Sequence, residues 1–458
     1  MTTPSWPIAS IRTSHSQWLS RRPCRALRVL SGLICVVVLS PVMAINGYFM
    51  PGYGAKSIGV AGTGVAMPQD RLTIATNPAG LTFIAPGFEV GAAMLHPQRE
   101  GTLDCTGIGL CDRAVKDRSK REFFLVPSFA YSRRWGERTT LAVASYANGG
   151  MNTSYGRDFY AEATQLIAGV KPSDPSYPRR GKLGVDYAQI IMAPSAAHRF
   201  GERLSVGVAP LLMLQKFSAR GLANFGALSQ DASSLSNRGA DYQLGAGVRV
   251  GAIYSLRPAL RLGAQYTSRV FVRRHTKYSG LFVDSGDLDA PANYTVGLSW
   301  DATSKLTLGF DFQRILYASV DTIGNRGPSA AELAGNIVAS RRLGGSDGLG
   351  FGWNDLSVYK VGAIYRHNDR LTLRLGWNHC GIAVPNNEAL LAPLVPAPME
   401  NDLTAGLSYK MAAGREISIG YMHSFWASTK NRRSQLNGTI AQAEGAVDAF
   451  HLGYSREF

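Results

Sequence analysis

The sequence predicts an all-β chain, a 14-stranded antiparallel transmembrane β-barrel with an N-terminal hatch, or plug, inside its lumen. Three observations carry this. Alternation of apolar and polar residues with period two recurs from about residue 87 to the last residue, Phe458. After Leu39 no apolar run reaches the ~20 residues of a spanning helix. The links between alternating segments are strictly short, then long. Tight turns at one end and long loops at the other are how barrels of the bacterial outer membrane are built.

The totals agree. Of 458 residues 45% are hydrophobic, with 50 Gly, 19 Tyr and 18 Phe, a mix that suits short strands and turns better than helices. Formal net charge is +16, and removing Arg12, Arg21, Arg22, Arg25 and Arg28 with a leader leaves about +11. The basic residues are dispersed. That fits anionic lipid and lipopolysaccharide phosphates as partners and argues against nucleic acid.

Residues 1–44 read as a cleaved signal peptide. RRPCRALRVLSGLICVVVLSPVMA has a basic stretch and an apolar run, 27–39, too short to span a bilayer comfortably. Val42 and Ala44 occupy the positions a signal peptidase prefers, which puts the mature start at Ile45. Cys105, Cys111 and Cys380 remain. Cys105 and Cys111 bracket the short loop CTGIGLC, where a disulfide suits an oxidising compartment. No His or further Cys stands near them for a metal, and Cys380 reads as a small strand residue.

Residues 45–86 read as the hatch. INGYFMPGYGAKSIGVAGTGVAMPQDRLTIATNPAGLTFIAP is rich in Gly and small residues, and Asn77-Pro78 favours a turn. Tyr48, Phe49, Ile58, Val60 and Leu72 are not the composition of a solvated tail. A compact segment here fills a pore that fourteen strands leave partly open.

The barrel occupies 87–458. Its strands are expected at about 87–97, 122–134, 138–148, 184–200, 203–219, 240–256, 259–274, 290–301, 304–317, 354–367, 370–380, 401–411, 415–427 and 446–458. The short links are RWGER, FGER, LRPAL, DATSK, RHNDR and AAGR. In LTLGFDFQ the row Leu306, Leu308, Phe310, Phe312 opposes Thr307, Gly309, Asp311, Gln313. A membrane barrel turns the apolar row to lipid and the polar row to the lumen. The last strand, AFHLGYSREF, puts Phe450, Leu452, Tyr454 and Phe458 on one face; it must close on the first strand, because a lipid-exposed edge is not tolerated. Pro127, Pro194 and Pro210 fall inside strands, which predicts bulges, kinks or shifted strand ends there.

Several stretches, in this order and spacing, cover essentially the whole mature chain: GYGAKSIGVAGTGVA, TNPAGL, NGGMNTSYG at 148–156, GVDYAQIIMAPSAAHRFGERLSVGVAPLLMLQKFSARGL at 184–222, YTSRVFVRRHTKYSGLF, FGWNDLSVYKVGAIYR and NDRLTLRLGWNH. On these the chain resembles the FadL family of outer-membrane transporters for long-chain fatty acids and related hydrophobic compounds. The resemblance implies a monomeric barrel whose hatch carries an Asn-Pro-Ala turn, matched here by Asn77, Pro78 and Ala79, with Gly80 after it. It implies capture of ligand in an apolar groove of long loops, passage to an inner pocket near the N-terminus, and sideways exit through a gap at a kinked third strand beside that turn. Gly149 and Gly150 stand where that kink belongs, though glycine there also serves to start a loop. A terminal aromatic such as Phe458 is what the barrel assembly machinery of such proteins receives.

The loop segments LFV at 281–283 and ALLAPLVPAPM at 389–399 are apolar, as a binding surface or loop–loop packing requires. Arg261, Arg269 and Arg374 face the lumen in this register, to hold a carboxylate or to pair with an acid such as Asp311. No ATP, cofactor or metal site is read. GGSDG at 344–348 matches a nucleophile motif formally, but lies in a glycine-rich loop without the strand and helix the motif needs. His379 and His423 read as isolated strand positions, so the chain does not read as an enzyme. A general porin or a surface receptor is the alternative, and the hatch counts against both.

Overall fold

The computed structural model describes residues 46–108, 112–167, 173–174, 182–430 and 440–458. The predicted leader and Cys111 lie outside them. Fourteen strands close one antiparallel barrel. They are β1 Gly87–Asp104, β2 Phe124–Trp135, β3 Thr139–Asn152, β4 Gly184–Phe200, β5 Leu204–Arg220, β6 Asp241–Arg257 and β7 Leu260–Thr267. Then come β8 Asn293–Asp301, β9 Leu306–Ile315, β10 Leu356–Arg366, β11 Leu371–Cys380, β12 Asn401–Lys410, β13 Arg415–Lys430 and β14 Ile440–Glu457. The last strand closes on the first through a continuous ladder from Gly87↔Glu457 to Asp104↔Ile440.

The polarity is that of a barrel solvated by lipid. Leu298, Phe310, Leu375, Ile419 and Leu452 are exposed on the outer face, while Asp311, Lys360, Arg374 and Asp402 are buried inside. Aromatic side chains flank the aliphatic band. Trp135, Tyr254, Trp300, Tyr409 and Phe458 ring the short-turn end, and Tyr242, Tyr294, Tyr359, Trp377 and Trp426 the long-loop end.

Several strand limits differ from the alternation. β1 and β14 run on past 97 and begin before 446, because polar side chains on both sides of their shared ladder hide the period. β7 stops at Thr267 rather than near 274. There Ser268 Oγ accepts from Val248 N (3.0 Å), and Phe271–Val272 pairs separately with β6.

The prolines sit where ladder bonds are absent, without bulges. Pro127 lies in 124–128, which pairs with β1 but has no ladder to β3. The β4/β5 ladder skips from Met192↔Leu212 to Ala196↔Val208 with no change of register. Pro194 and Pro210 face each other midway through that interval, so two residues without N–H groups share one interruption.

Residues 46–83 are packed within the lumen against a ring of inward-facing glycines. The ring is paired across strands as Gly207↔Gly251, Gly263↔Gly297, Gly309↔Gly362, Gly362↔Gly376 and Gly406↔Gly420. A Cβ at Gly263 would stand 2.3 Å from Val65 O, at Gly376 2.3 Å from Val60 C, and at Gly207 2.4 Å from Ala79 N. The absent side chains let the segment's backbone approach the wall's backbone. Buried polar groups then hold it: Asp311 Oδ2 accepts from Gly64 N (2.7 Å) and Val65 N (3.0 Å), and Lys360 Nζ donates to Pro51 O (2.8 Å).

Gly263→Val is expected to push the lumen segment off the wall while the barrel still closes. In planar bilayers its conductance to small ions should rise several-fold over the parent chain. Gly381→Ala, where a Cβ meets nothing within 4 Å, should leave conductance unchanged.

Candidate functional site

The β2/β3 ladder stops at Phe129↔Ser145. Beyond it β2 continues beside β1 and β3 beside β4, so 124–128 and 146–152 flank a break in the wall. β3 bulges there: Ala147 pairs with Ile190 and Gly149 with Gln189, leaving Asn148 as the extra residue. Residues 46–50 fill the break from inside, as a fragment of strand. Met50 N donates to Asn148 O (3.2 Å), Gly150 N donates to Tyr48 O (2.9 Å), and Phe49 bridges to Gly149. A Cβ at Gly149 would lie 2.0 Å from Tyr48 O, so this seal requires glycine. Gly149 and Gly150 thus belong to β3 rather than following it. A small cavity opens at the break, lined by lumen-facing Met50, Ala93 and Val126 and by outward-facing Pro127 and Leu452.

Above the seal lies a small apolar cavity. Tyr48 forms its floor, Tyr187 and Phe217 come from β4 and β5, and Phe282, Ile323, Phe351, Trp353 and Val395 descend from the long loops. The Tyr48 ring stands 5.1 Å from Tyr317, 5.3 Å from Tyr187 and 6.1 Å from Trp353. Tyr317 Oη donates to Asn46 O (2.6 Å) and accepts from Tyr48 N (3.1 Å), which pins the chain beside Gly47. Gly47 has φ +69° and the Tyr317 ring against it, a place for no other residue. A second small apolar cavity lies among the loops, lined by Leu222, Phe225, Leu281, Leu343, Leu391 and Leu394. Phe351 lines both cavities.

Below the seal the chemistry inverts. A small chamber is lined by Arg249, Lys360, Asp311, Gln265, Asn293 and Gln313, with Phe49 and Met50 as its roof. A chain of side-chain hydrogen bonds ties the bulge to the inner cavity. Asn148 Nδ2 donates to Gln189 Oε1 (2.8 Å) and Gln189 Nε2 to Tyr187 Oη (2.7 Å). Gln215 Nε2 donates to the same hydroxyl (3.1 Å), and His275 Nε2 contacts Gln215 Oε1 (2.7 Å).

The residues singled out from sequence separate into groups. Asn77 caps the short helix Pro78–Phe83, accepting from Ala79 N (3.0 Å). Its Nδ2 donates to Val65 O (2.7 Å) and to Ala252 O of β6 (3.1 Å). Ala79 O accepts from Ser205 Oγ of β5 (2.8 Å), and Gly80 packs on Thr73 and Pro68. The turn is therefore anchored on β5 and β6, while the glycines meet Tyr48; the helix reaches β3 through Leu81, clustered with Ala144 and Tyr146. Both apolar loop segments are buried rather than exposed. Leu281 and Phe282 line one cavity each, as do Leu394 and Val395.

Asp311 holds backbone N–H groups, not an arginine. Arg261 pairs with Asp301 (3.7 Å), Arg269 with Asp289 (3.8 Å), and Arg374 Nη1 donates to Ser408 Oγ (2.7 Å); none lines either apolar cavity. His423 is not isolated, since its Nδ1 lies 2.9 Å from Asp448 Oδ1. Cys105 is buried and disulfide-bonded, with Cys111 outside the described residues, and Cys380 is a buried thiol. The GGSDG stretch is loop. Tyr187, Phe217 and Trp353 escaped the sequence reading; the available signal was aromatic residues on the inward row of β4 and β5, where the lumen pattern asks for polar ones.

A family model described as outer membrane protein transport protein (OMPP1/FadL/TodX) matches residues 36–458. The fold is similar to the toluene transporter TodX of P. putida, with TM-score 0.64 and 15% identity over 89% of this chain and 99% of that one. It is similar to a Pseudomonas aeruginosa FadL homologue, with TM-score 0.65 and 15% identity over 90% and 100%. The toluene transporter TbuX of Ralstonia pickettii gives TM-score 0.57 and 18% identity over 89% and 99%. An uncharacterized Chlorobium limicola protein, from the phosphoenolpyruvate carboxykinase gene 5′ region, is 38% identical over 104 residues. That match spans 22% of this chain and about half, 48%, of that protein.

His275 offers a test of the loop packing. Burial pushes its imidazole down to about 4, although Asp241 at 3.6 Å pulls the other way. The unfolded loop protonates near ~6.5. Stability is therefore full above that value and is lost as pH falls from there toward about 4. The near-UV dichroism of the loop aromatics should melt at lower temperature at pH 5 than at pH 7.5, and His275→Gln should flatten that difference.

Proposed function

The chain belongs to the OMPP1/FadL/TodX family of outer-membrane transport proteins, and from that we propose that it carries hydrophobic compounds passively, from outside the cell into the outer-membrane bilayer. The observation that supports this most is the alignment of two apolar cavities with a break in the barrel wall. On this reading cargo enters the loop cavity, passes Phe351 into the inner cavity, and displaces the strand fragment 46–50. It then leaves between β2 and β3 into lipid. The hatch is residues 45–86, with the Asn77–Gly80 turn as its anchor and Gly149 and Gly150 as the seat of its seal.

The energetics need no coupled energy source. Each CH₂ moved from water to an apolar setting gains ~0.8 kcal/mol. Transfer from the inner cavity to the bilayer keeps that gain, whereas descent into the polar chamber or periplasmic water forfeits it. The family transports; we assign no catalysis to the chain. Closure of β14 on β1 within one chain suits a monomer, and we assign exposed Phe458 to recognition by the barrel assembly machinery.

Expression in a host lacking its own transporter of this family should raise uptake of labelled toluene and leave uptake of a small sugar unchanged. Ala93→Trp, which fills the break, should lower toluene uptake about tenfold while the barrel still shows heat-modifiable mobility. Sugar uptake without toluene uptake would mean an open channel instead. Equal toluene uptake by parent and variant would rule out the lateral route.

A further inference from the structure

The two apolar cavities also speak to the charge of the cargo, and this step rests on the transport reading above. Neither cavity wall exposes a polar atom. Among the described residues, the lining includes no Lys, Arg, His, Asp or Glu. The Tyr187 hydroxyl accepts from both Gln189 and Gln215, and the donors on the residues around the inner cavity, Tyr48 Oη, Tyr187 Oη and Trp353 Nε1, are all neutral. An ionised carboxylate buried in such a wall would have no counter-charge, and would stay in water or enter only when neutral.

Cations do exist along the axis, but on the far side of the seal and already engaged. Lys360 donates to Pro51 O, and Arg249 donates to Ile74 O (3.0 Å), Tyr146 Oη (2.7 Å) and Thr267 Oγ1 (2.8 Å). Among the loops, Arg269 pairs with Asp289, and Arg342 donates to Ala227 O (3.2 Å). A carboxylate reaching for Lys360 or Arg249 would have to compete with the carbonyls that hold the lumen segment in place.

We infer that the cargo is uncharged, a neutral hydrocarbon or its neutral derivative, and that the inner cavity rejects carboxylate anions of the same length. The barrier is that no cation among the described residues faces Tyr48, Phe351 and Val395.

The test uses the full chain in lipid nanodiscs with bound N-phenyl-1-naphthylamine as a neutral reporter, displaced at pH 7.5 by n-decane, methyl decanoate or decanoate. Decane and methyl decanoate should displace the reporter, and decanoate should require about 100-fold more ligand. Decanoate within about threefold of methyl decanoate would overturn the inference while leaving transport intact. Displacement by none of the three would overturn the transport reading, and the inference with it. Val395→Lys places a cation on the wall and should improve decanoate at least tenfold, with Val395→Leu as the folding control. A folded Val395→Lys chain that still ignores decanoate would show that charge is not what excludes it.

Discussion

No backbone polar group can be left without a partner at the depth of the hydrocarbon core, and the rest of this structure depends on that constraint. It dictates the unbroken ladder between β14 and β1, where an open edge would otherwise face lipid. It also explains the N-terminal strand fragment. A barrel with a door in its wall must expose the edges of two strands when the door stands empty. Residues 46–50 lend their own N–H and C=O groups to the bulged edge of β3, so the door is shut by backbone pairing and not by side chains alone. Such a seal is made of a few hydrogen bonds, each of modest net worth, and is therefore reversible in a way that the barrel ladder is not.

The seal works only because the lumen segment is held elsewhere. The glycine ring removes the side chains that would keep its backbone off the wall; Asp311, Lys360 and Arg249 then bind its amides and carbonyls, and its own Asn77 donates to Ala252 O of the wall. Those groups are buried, so each has to be satisfied, and the segment's own backbone satisfies most of them. The lower part of the segment is thus fixed on β5 to β13, while the first five described residues lean on β3 and on loop aromatics. On the proposed reading one chain segment serves as a static plug at its centre and as a removable strand at its tip.

Much of this was legible before any coordinates. Period two, the sorting of links into short and long, and the Gly-rich front end are consequences of lipid on one side and a filled lumen on the other. They were readable because each constraint repeats along the chain. The glycine ring was visible only as an excess of glycine, since its meaning lies in cross-strand register, which a single sequence does not display. The inner cavity was half legible. The loop segments at 281–283 and 389–399 announced themselves by being apolar, whereas Tyr187 and Phe217 were hidden in strands whose alternation looked ordinary. Asp311 was misread for a physical reason: a lumen acid suggests a cationic partner, and here backbone N–H groups took that place. The paired prolines were misread similarly, as two separate faults when register makes them one.

On the proposed route, the change of chemistry across residues 48–50 is what turns a vertical pore into a lateral one. Above Tyr48 the walls are carbon; below Phe49 and Met50 they are amide, carboxylate and cation. An apolar molecule resting on Tyr48 has three exits. Returning to the outside water costs about 0.8 kcal/mol for each CH₂ re-exposed. Going down meets a polar chamber, which imposes a similar penalty and must also give up hydrogen-bonded or hydrated groups. Going sideways meets Met50, Ala93 and Val126, then Leu452 at the lipid face, with Ser128 and His451 beside them, once the few hydrogen bonds of the seal are exchanged. On the proposed reading the direction of transport is therefore set by solvation along three paths, and the polar chamber contributes by being unattractive. A lumen filled with apolar side chains would block water equally well, but it would leave the cargo no reason to turn.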